Sequence, residues 1–336
     1  MGKSVSENRE YELSCRTYRD EKDAEAIARL MNAAALADDP EDARTEEEVR
    51  QILSGPLVIA EENLFLFEVK DKLVAYGRTQ LEEGPNDSTF LVWGLVHPDW
   101  RRRGIGTRVM RRVEQRIHER LGEASHPTVY ARAWCPLARE DRQALYRKMG
   151  YELVRYFFNM ERPLHWEGSP IEVPEPSYPA GIAVQTLEER PDLDAVVLTV
   201  NEAFRDHWGH TDTTLEQWQH WTNDPNHQPE LWFLAWDAEK DEPAGICGTG
   251  IEHERNARVG REEGWVHVLG VRRPYRQQGL GRALLLTGVR ALQDEGVKWA
   301  MLSADTENLT GALRLYEGVG FQPAKRSAIF RKTIRP

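Results

Sequence analysis

The chain has 336 residues, 40% hydrophobic and 29% charged, with a formal net charge of −11. That length favours two domains of about 150 residues each; no apolar run reaches the roughly 18 residues of a membrane span, and the surplus of acid disfavours general binding to nucleic acid. Three widely spaced cysteines, Cys15, Cys135 and Cys247, argue against a disulfide framework and for a reducing cytoplasm, and the start MGKSVSENREYELSC lacks the apolar core of a secretion signal.

In chain order, LSCRTYR reads as an opening strand, and DAEAIARLMNAAA carries apolar residues three and four apart, as on an amphipathic helix. LFLFEVKDKLVAYGRTQL is a hairpin with a polar turn. FLVWGLV is a strand that leads into a glycine-bearing turn and the helix GTRVMRRVEQRIHERL. The strand TVYARAW, the helix REDRQALYRKMG and an aromatic-rich last strand follow. Residues 161–181 hold Pro163, Pro170, Pro174, Pro176 and Pro179, a pattern that reads as an extended linker.

The same order then recurs: strand GIAVQTL, helix DLDAVVLTVNEAF, hairpin LWFLAWDAEKDEPAGICGTGI, strand GWVHVLGV, helix GRALLLTGVRALQDEG, strand WAMLSAD, helix NLTGALRLYEGVG and a last strand. Antiparallel hairpins beside a strand, turn, helix and strand unit imply an α+β domain with a mixed, mostly antiparallel sheet flanked by helices, present twice. The boundaries expected are 1–165, a linker at 166–180, and 181–336.

The repeat is sharpest at the turns. VHPDWRRRGIGTRVM places Val96, Arg101, Gly104 and Gly106 where VRRPYRQQGLGRALL places Val271, Arg276, Gly279 and Gly281, each 175 residues on (276 − 101). A helix N-terminus offers free N–H groups and partial positive charge, so a glycine turn there suits a pyrophosphate, with the arginine as a cationic rim. The donors would be Gln277, Gln278, Gly279, Leu280, Gly281 and Arg282, and in the first copy Arg102, Arg103, Gly104, Ile105, Gly106 and Thr107. The plainer reading, a glycine-kinked surface connection, is weakened by the second copy. No Gly-Lys-Ser/Thr follows, so the turn is not a nucleotide P-loop.

Arg-x-x-Gly-x-Gly after an apolar strand, the preceding hairpins and NLTGALRLYEGVGF some forty residues later resemble the GNAT (Gcn5-related N-acetyltransferase) superfamily, once per half. The two-copy layout is similar to that of the mycothiol synthase type, in which the C-terminal copy is catalytic. The resemblance implies two tandem GNAT-like domains, acetyl-CoA in the turn, and direct attack by a neutral amine on the thioester. It implies backbone donors around Leu269, Gly270 and Val271 for the thioester carbonyl, Asn308 on the pantetheine arm, and Tyr316 as the acid that protonates the sulfur. Core packing is the alternative role for Tyr316.

His267 lies four residues before Val271, and strict strand alternation puts residues 265, 267, 269 and 271 on one side; an imidazole there suits a general base. A half-buried, hydrogen-bonded histidine is the alternative, and Glu262 and Glu263 are alternative bases. The first copy keeps Tyr146 but has Ala138 and Val92 where the second has Asn308 and His267, which points to a structural or regulatory role. In the acceptor region, Asp206, His207, Trp208 and His210 suit an amine pocket. Two histidines three apart without a third ligand do not make a metal site.

The reading is a cytoplasmic N-acetyltransferase that uses acetyl-CoA on a small amine, with no metal, nucleic acid or membrane partner, and a monomer favoured over a dimer. A non-catalytic acyl-CoA sensor or scaffold and a protein N-acetyltransferase are the alternatives.

Overall fold

The computed structural model describes residues 11–223, 227–307 and 311–336. They fall into two compact units, one reaching Gln80 and resuming over Phe90–Glu123, the other made of Leu81–Thr89 and Ala124–Pro336.

The first unit holds β1 (Ser14–Thr17), α1 (Glu21–Asp38), α2 (Glu46–Leu53), the short α3 (Ala60–Asn63), β2 (Leu64–Val69), most of β3 (Lys72–Glu83) and of β4 (Ser88–Val96), and α4 (Ile105–Glu119). Its strands neighbour one another in the order β1, β2, β3, β4. Asp20 caps α1 by accepting from the Lys22 N–H, and Thr45 with Glu48 forms a capping box on α2. Ala24, Ile27 and Ala28 of α1 pack on Val49, Leu53, Leu64 and Leu66. In α4 the buried Ile105, Val109, Val113 and Ile117 recur every four residues, so one face turns inward.

The second unit continues with β5 (Val129–Pro136), α5 (Glu140–Lys148), β6 (Glu152–Pro163), the two-residue strands β7 (His165–Trp166) and β8 (Ser169–Pro170), β9 (Ile182–Thr186), α6 (Leu193–Phe204), α7 (Leu215–Thr222), β10 (Trp232–Asp237), β11 (Glu242–Gly250), α8 (His253–Val259), β12 (Glu263–Val271), α9 (Leu280–Asp294), β13 (Trp299–Asp305), α10 (Ala312–Gly318) and β14 (Gln322–Arg335). Its sheet runs β5, β14, β6, β13, β12, β11, β10, β9. β12 and β13 are parallel, while β6, β14 and the β9–β12 strands pair antiparallel, so the α+β expectation holds.

α9 covers one face of this sheet, burying Leu284, Leu285, Val289 and Leu292 against Ala244, Cys247, Ala300, Leu302 and Met160. Each such side chain contributes about 1.5–3 kcal/mol as an upper estimate. α6 and α7 cover the other face with Val196 and Trp218 on Trp232, Leu234 and Ile246. Gly288 lets α9 sit close, because a Cβ there would stand 2.6 Å from the Cys247 sulfur.

The strand order records an exchange. β13, in the second repeat, pairs with β6, the last strand of the first repeat, from Trp299↔Pro163 to Asp305↔Phe157. β5, in the first repeat, pairs with β14, the last strand of the second, from Ser327↔Pro136 to Arg335↔Val129. Each repeat thus completes its sheet with the other's final strand. The proline-rich stretch after β6 is extended but fastened along α9: Arg290 donates to the Val173 carbonyl at 2.9 Å, and Gln293 to those of Leu164 and Ile171 at 2.7 and 2.9 Å.

Candidate active site

The turn between β12 and α9 is shaped by backbone conformation. Gln277 has φ 62° and Gly279 φ 84°, both left-handed, and Gly279 is the N-cap of α9. No side chain caps this helix end, and its first backbone bond is Ala283 N–H to Gly279 C=O, so the N–H groups of Leu280, Gly281 and Arg282 remain on offer. Alternating conformations of this kind turn successive N–H groups inward as an anion nest. The first copy repeats the geometry, with φ 62° at Arg102 and φ 80° at Gly104, the N-cap of α4.

No atom lies within 4 Å of a Cβ built on Gly279, so glycine serves the left-handed backbone there. At Gly281 a Cβ would meet only ordinary contacts, 3.5 Å from Val271 and 3.7 Å from Leu315, so its bareness matters to what lies over the turn.

The arginine departs from the expected role. The Arg276 guanidinium folds back: Nε donates to the Val271 carbonyl at 3.0 Å, one terminal nitrogen to the Ala203 carbonyl at 2.9 Å, and the other reaches Asp206 at 3.3 Å. It ties the turn to the end of β12 and to the orphan carbonyls that end α6, instead of forming the rim. Arg101 does likewise with the Val96 carbonyl at 3.2 Å and with Asp38 at 2.7 Å. The exposed Arg282, in the first turn of α9, has no partner among the described residues and is the cation left for a phosphate.

β12 then parts from its neighbour. Parallel pairing with β13 is registered from Glu263↔Trp299 to Val266↔Leu302 and goes no further, which leaves a wedge between Leu269–Val271 and the end of β13. Against β11, Gly248 pairs with Val268 and Thr249 with Val266, so His267 is the extra residue of a bulge. The bulge corrects the expected alternation: Val266, Leu269 and Val271 pack toward α9, while Val268 packs toward α6 and α7. His267 points to that second side, with Nε2 3.1 Å from where a Cβ on Gly250 would stand.

Arg272 donates its N–H to the Ala244 carbonyl at 2.9 Å, so by alternation Gly270 also faces β11, whereas Leu269 and Val271 turn their N–H groups into the wedge. Gly270 has another duty, since a Cβ there would stand 2.8 Å from Ala203 Cβ in α6.

Two titratable groups flank the wedge. Tyr316 of α10 packs with the α9-side core, and its ring meets Phe321 edge-on at 6.4 Å. Burial, with a smaller push from the Cys247 thiol, raises its pKa to about 12, so the phenol stays protonated at neutral pH; its hydroxyl has no partner among the described residues. His267 is open to solvent on one side and crowded by protein on the others, and that crowding lowers its pKa below 6.5. Its ring has no hydrogen-bond partner among the described residues. A phenol and an imidazole thus stand on opposite sides of this sheet.

The alternative bases are committed elsewhere. Glu263 is buried between Arg255 and Arg261, and the exposed Glu262 pairs with Lys298. Asn308 lies outside the described residues.

The acceptor loop also differs in part. Asp206 accepts from Arg273 and Arg276, which lowers its pKa, so it anchors the turn and is not left for an amine. His207 packs against Phe204, ring centroids 4.7 Å apart and planes inclined at 60°, and burial lowers its pKa. Trp208 lies between two arginines of the first repeat's strands, 5.5 Å from Arg132 and 5.3 Å from Arg155. Arg132 is paired with Glu82 at 3.0 Å and Arg155 with Asp305 at 2.9 Å. His210 bonds Asp212 at 2.9 Å. Among the described residues no cluster of three His, Cys, Asp or Glu is placed to hold a metal ion.

The first repeat keeps the turn without the flanking chemistry. Tyr146 is 3% exposed, its hydroxyl donates to the Trp134 carbonyl at 3.5 Å, and Tyr151 and Phe330 close on its ring. Val92 is buried at the position that corresponds to His267.

Comparison with known proteins agrees with both copies. The profile of the Acetyltransferase (GNAT) family matches residues 193–321, and that of the Acetyltransferase (GNAT) domain matches 57–153. A mycothiol acetyltransferase of Thermomonospora curvata is 32% identical over 257 residues, 76% of this chain and 78% of its own. The chain belongs to the GNAT acetyltransferase family. This GNAT protein also resembles, across 96% of both chains, a GCN5-related N-acetyltransferase of Sphaerobacter thermophilus, with TM-score 0.72 and 30% identity. A tandem GNAT protein from the clavulanic acid biosynthesis pathway shares the fold, with TM-score 0.69 and 17% identity.

As a GNAT enzyme the chain is an N-acetyltransferase that uses acetyl-CoA. The uncapped α9 N-terminus, Arg282, the wedge and the inward N–H groups of Leu269 and Val271 fit that cofactor. Among the described residues, no helix is long and apolar enough to cross a membrane.

Proposed function

We propose that the second repeat acetylates the primary amine of a small molecule, and that the first repeat keeps an anion-binding turn without catalysis. Bound acetyl-CoA supplies the thioester that the amine attacks directly, forming an amide as the carbon–sulfur bond breaks. The N–H groups of Leu269 and Val271 receive the charge that develops on the carbonyl oxygen. His267, neutral at pH 7, takes the proton shed by the nitrogen, and Tyr316 gives its proton to the departing sulfur. The observation that carries this reading is a phenol and an imidazole on the two sides of one sheet, each without a hydrogen-bond partner among the described residues, where the other repeat has a sealed tyrosine and a valine.

The relatives named mycothiol acetyltransferase support a low-molecular-weight acceptor. Free thiols at Cys15, Cys135 and Cys247 suit a reducing cytoplasm, and strand exchange within one chain favours a monomer. The test is release of free thiol from acetyl-CoA with a panel of small amines and with Tyr316→Phe and Tyr146→Phe. Turnover that follows Tyr316 alone supports the reading; turnover that follows Tyr146, or thiol release with no amine of the panel, overturns it.

A further inference from the structure

The strand exchange places a first-repeat residue on the floor of the second repeat's site. Beyond the last registered β12–β13 pair, Val266↔Leu302, the next residues are His267 and Ser303. Ser303 pairs with Asn159 of β6. Leu302 and Ala304 pack toward α9, as do Met160 and Phe158, so Ser303 and Asn159 face the opposite side, the side to which His267 points. The same face carries the Arg155–Asp305 pair, which touches Trp208 of the acceptor loop, and, two residues along from Asn159, Glu161 paired with Arg261 at 3.2 Å.

His267, Ser303 and Asn159 therefore form a polar row across three neighbouring strands, between two ends whose charges are already neutralised. Ser303 is exposed in mid-strand and Asn159 half-buried, and neither side chain has a hydrogen-bond partner among the described residues. The row is open to solvent at Ser303 and His267, so its polar groups beside an imidazole are within reach of a ligand.

From this row we infer that Ser303 and Asn159 are specificity residues that bind hydroxyl or amide groups of the acceptor, and that the acceptor is a polar amine instead of a plain alkyl or aryl amine. Strands lie about 4.8 Å apart, so an amine at His267 brings groups a few bonds away to Ser303 and groups roughly twice as far to Asn159. Asn159 reaches the site only because β6 sits beside β13. The inference rests on the second repeat being the catalytic one.

The experiment measures kcat/KM and calorimetric binding for glucosamine against cyclohexylamine, and for 2-aminoethanol against propylamine, in the full chain and in Ser303→Ala, Asn159→Ala and the milder Asn159→Ser. The expected result is preference for the hydroxylated member of each pair. Each variant loses roughly tenfold on that member, with little change for the apolar amine or in the KM of acetyl-CoA. Equal losses on both members mean a structural role and overturn the inference, as does an unaltered protein that prefers the apolar amines or binds neither kind. Selectivity that follows Asn159 while Tyr316→Phe leaves turnover intact keeps the subsite and rejects the proposed acid.

Discussion

The two glycine turns have nearly the same backbone, with left-handed residues at φ 62° and 80° in one and 62° and 84° in the other, yet the tyrosines that follow live in different surroundings. The turn is local: a few dihedrals and a folded-back arginine reproduce it wherever the motif occurs. A proton donor depends on what packs around it, and Phe330 with the Trp134 carbonyl occupies Tyr146, while the Tyr316 hydroxyl has no partner among the described residues. The backbone of a turn can thus recur where the packing around the following tyrosine does not.

The largest effect that would break this contrast is at the tyrosines. Tyr316→Phe is expected to lower kcat about 10²–10⁴-fold, the range of a lost general acid, with little change in acetyl-CoA binding. Tyr146→Phe, which gives up the long hydrogen bond to the Trp134 carbonyl, should leave kcat unchanged and cost about 0.5 kcal/mol or less in denaturant unfolding. Equal losses of rate in the two variants would end the asymmetry.

Next in size, His267→Gln is expected to slow turnover about 10²-fold and to remove the acid limb from the pH profile of kcat. In the unaltered enzyme that limb should lie below pH 6.5, because the crowded imidazole releases its proton more readily than a free one, and Tyr316 should impose no alkaline limb until about pH 12. A smaller effect separates the turns themselves. Gly279→Ala and Gly104→Ala each force a side chain into left-handed backbone at about 1–2 kcal/mol, measurable by unfolding, but only Gly279→Ala should raise the KM for acetyl-CoA.

What the sequence reveals follows the range of each interaction. Element order and the turns are legible, because apolar spacing and glycine positions are local signals. The Arg276 fold-back is not, since its partners Ala203 and Asp206 lie some 70 positions away. Nor is the face on which His267 stands, because one inserted residue in β12 reverses the parity that alternation assumes. Glu263 reads as an alternative base until Arg255 and Arg261 enclose it. Asn159 carries no motif, and only the exchange of β6 and β14 brings it beside Ser303.

That exchange also sets an order on how the protein is made. On one edge β5 pairs with β14, which follows every strand from β6 to β13 in the chain, so a nascent first repeat holds that edge open until β14 has been made. At about 5–20 residues per second, the interval from β5 to β14 lasts on the order of ten seconds or more, a window in which an unpaired edge is open to foreign strands. Nascent chains stalled within that interval are therefore the form most prone to aggregate.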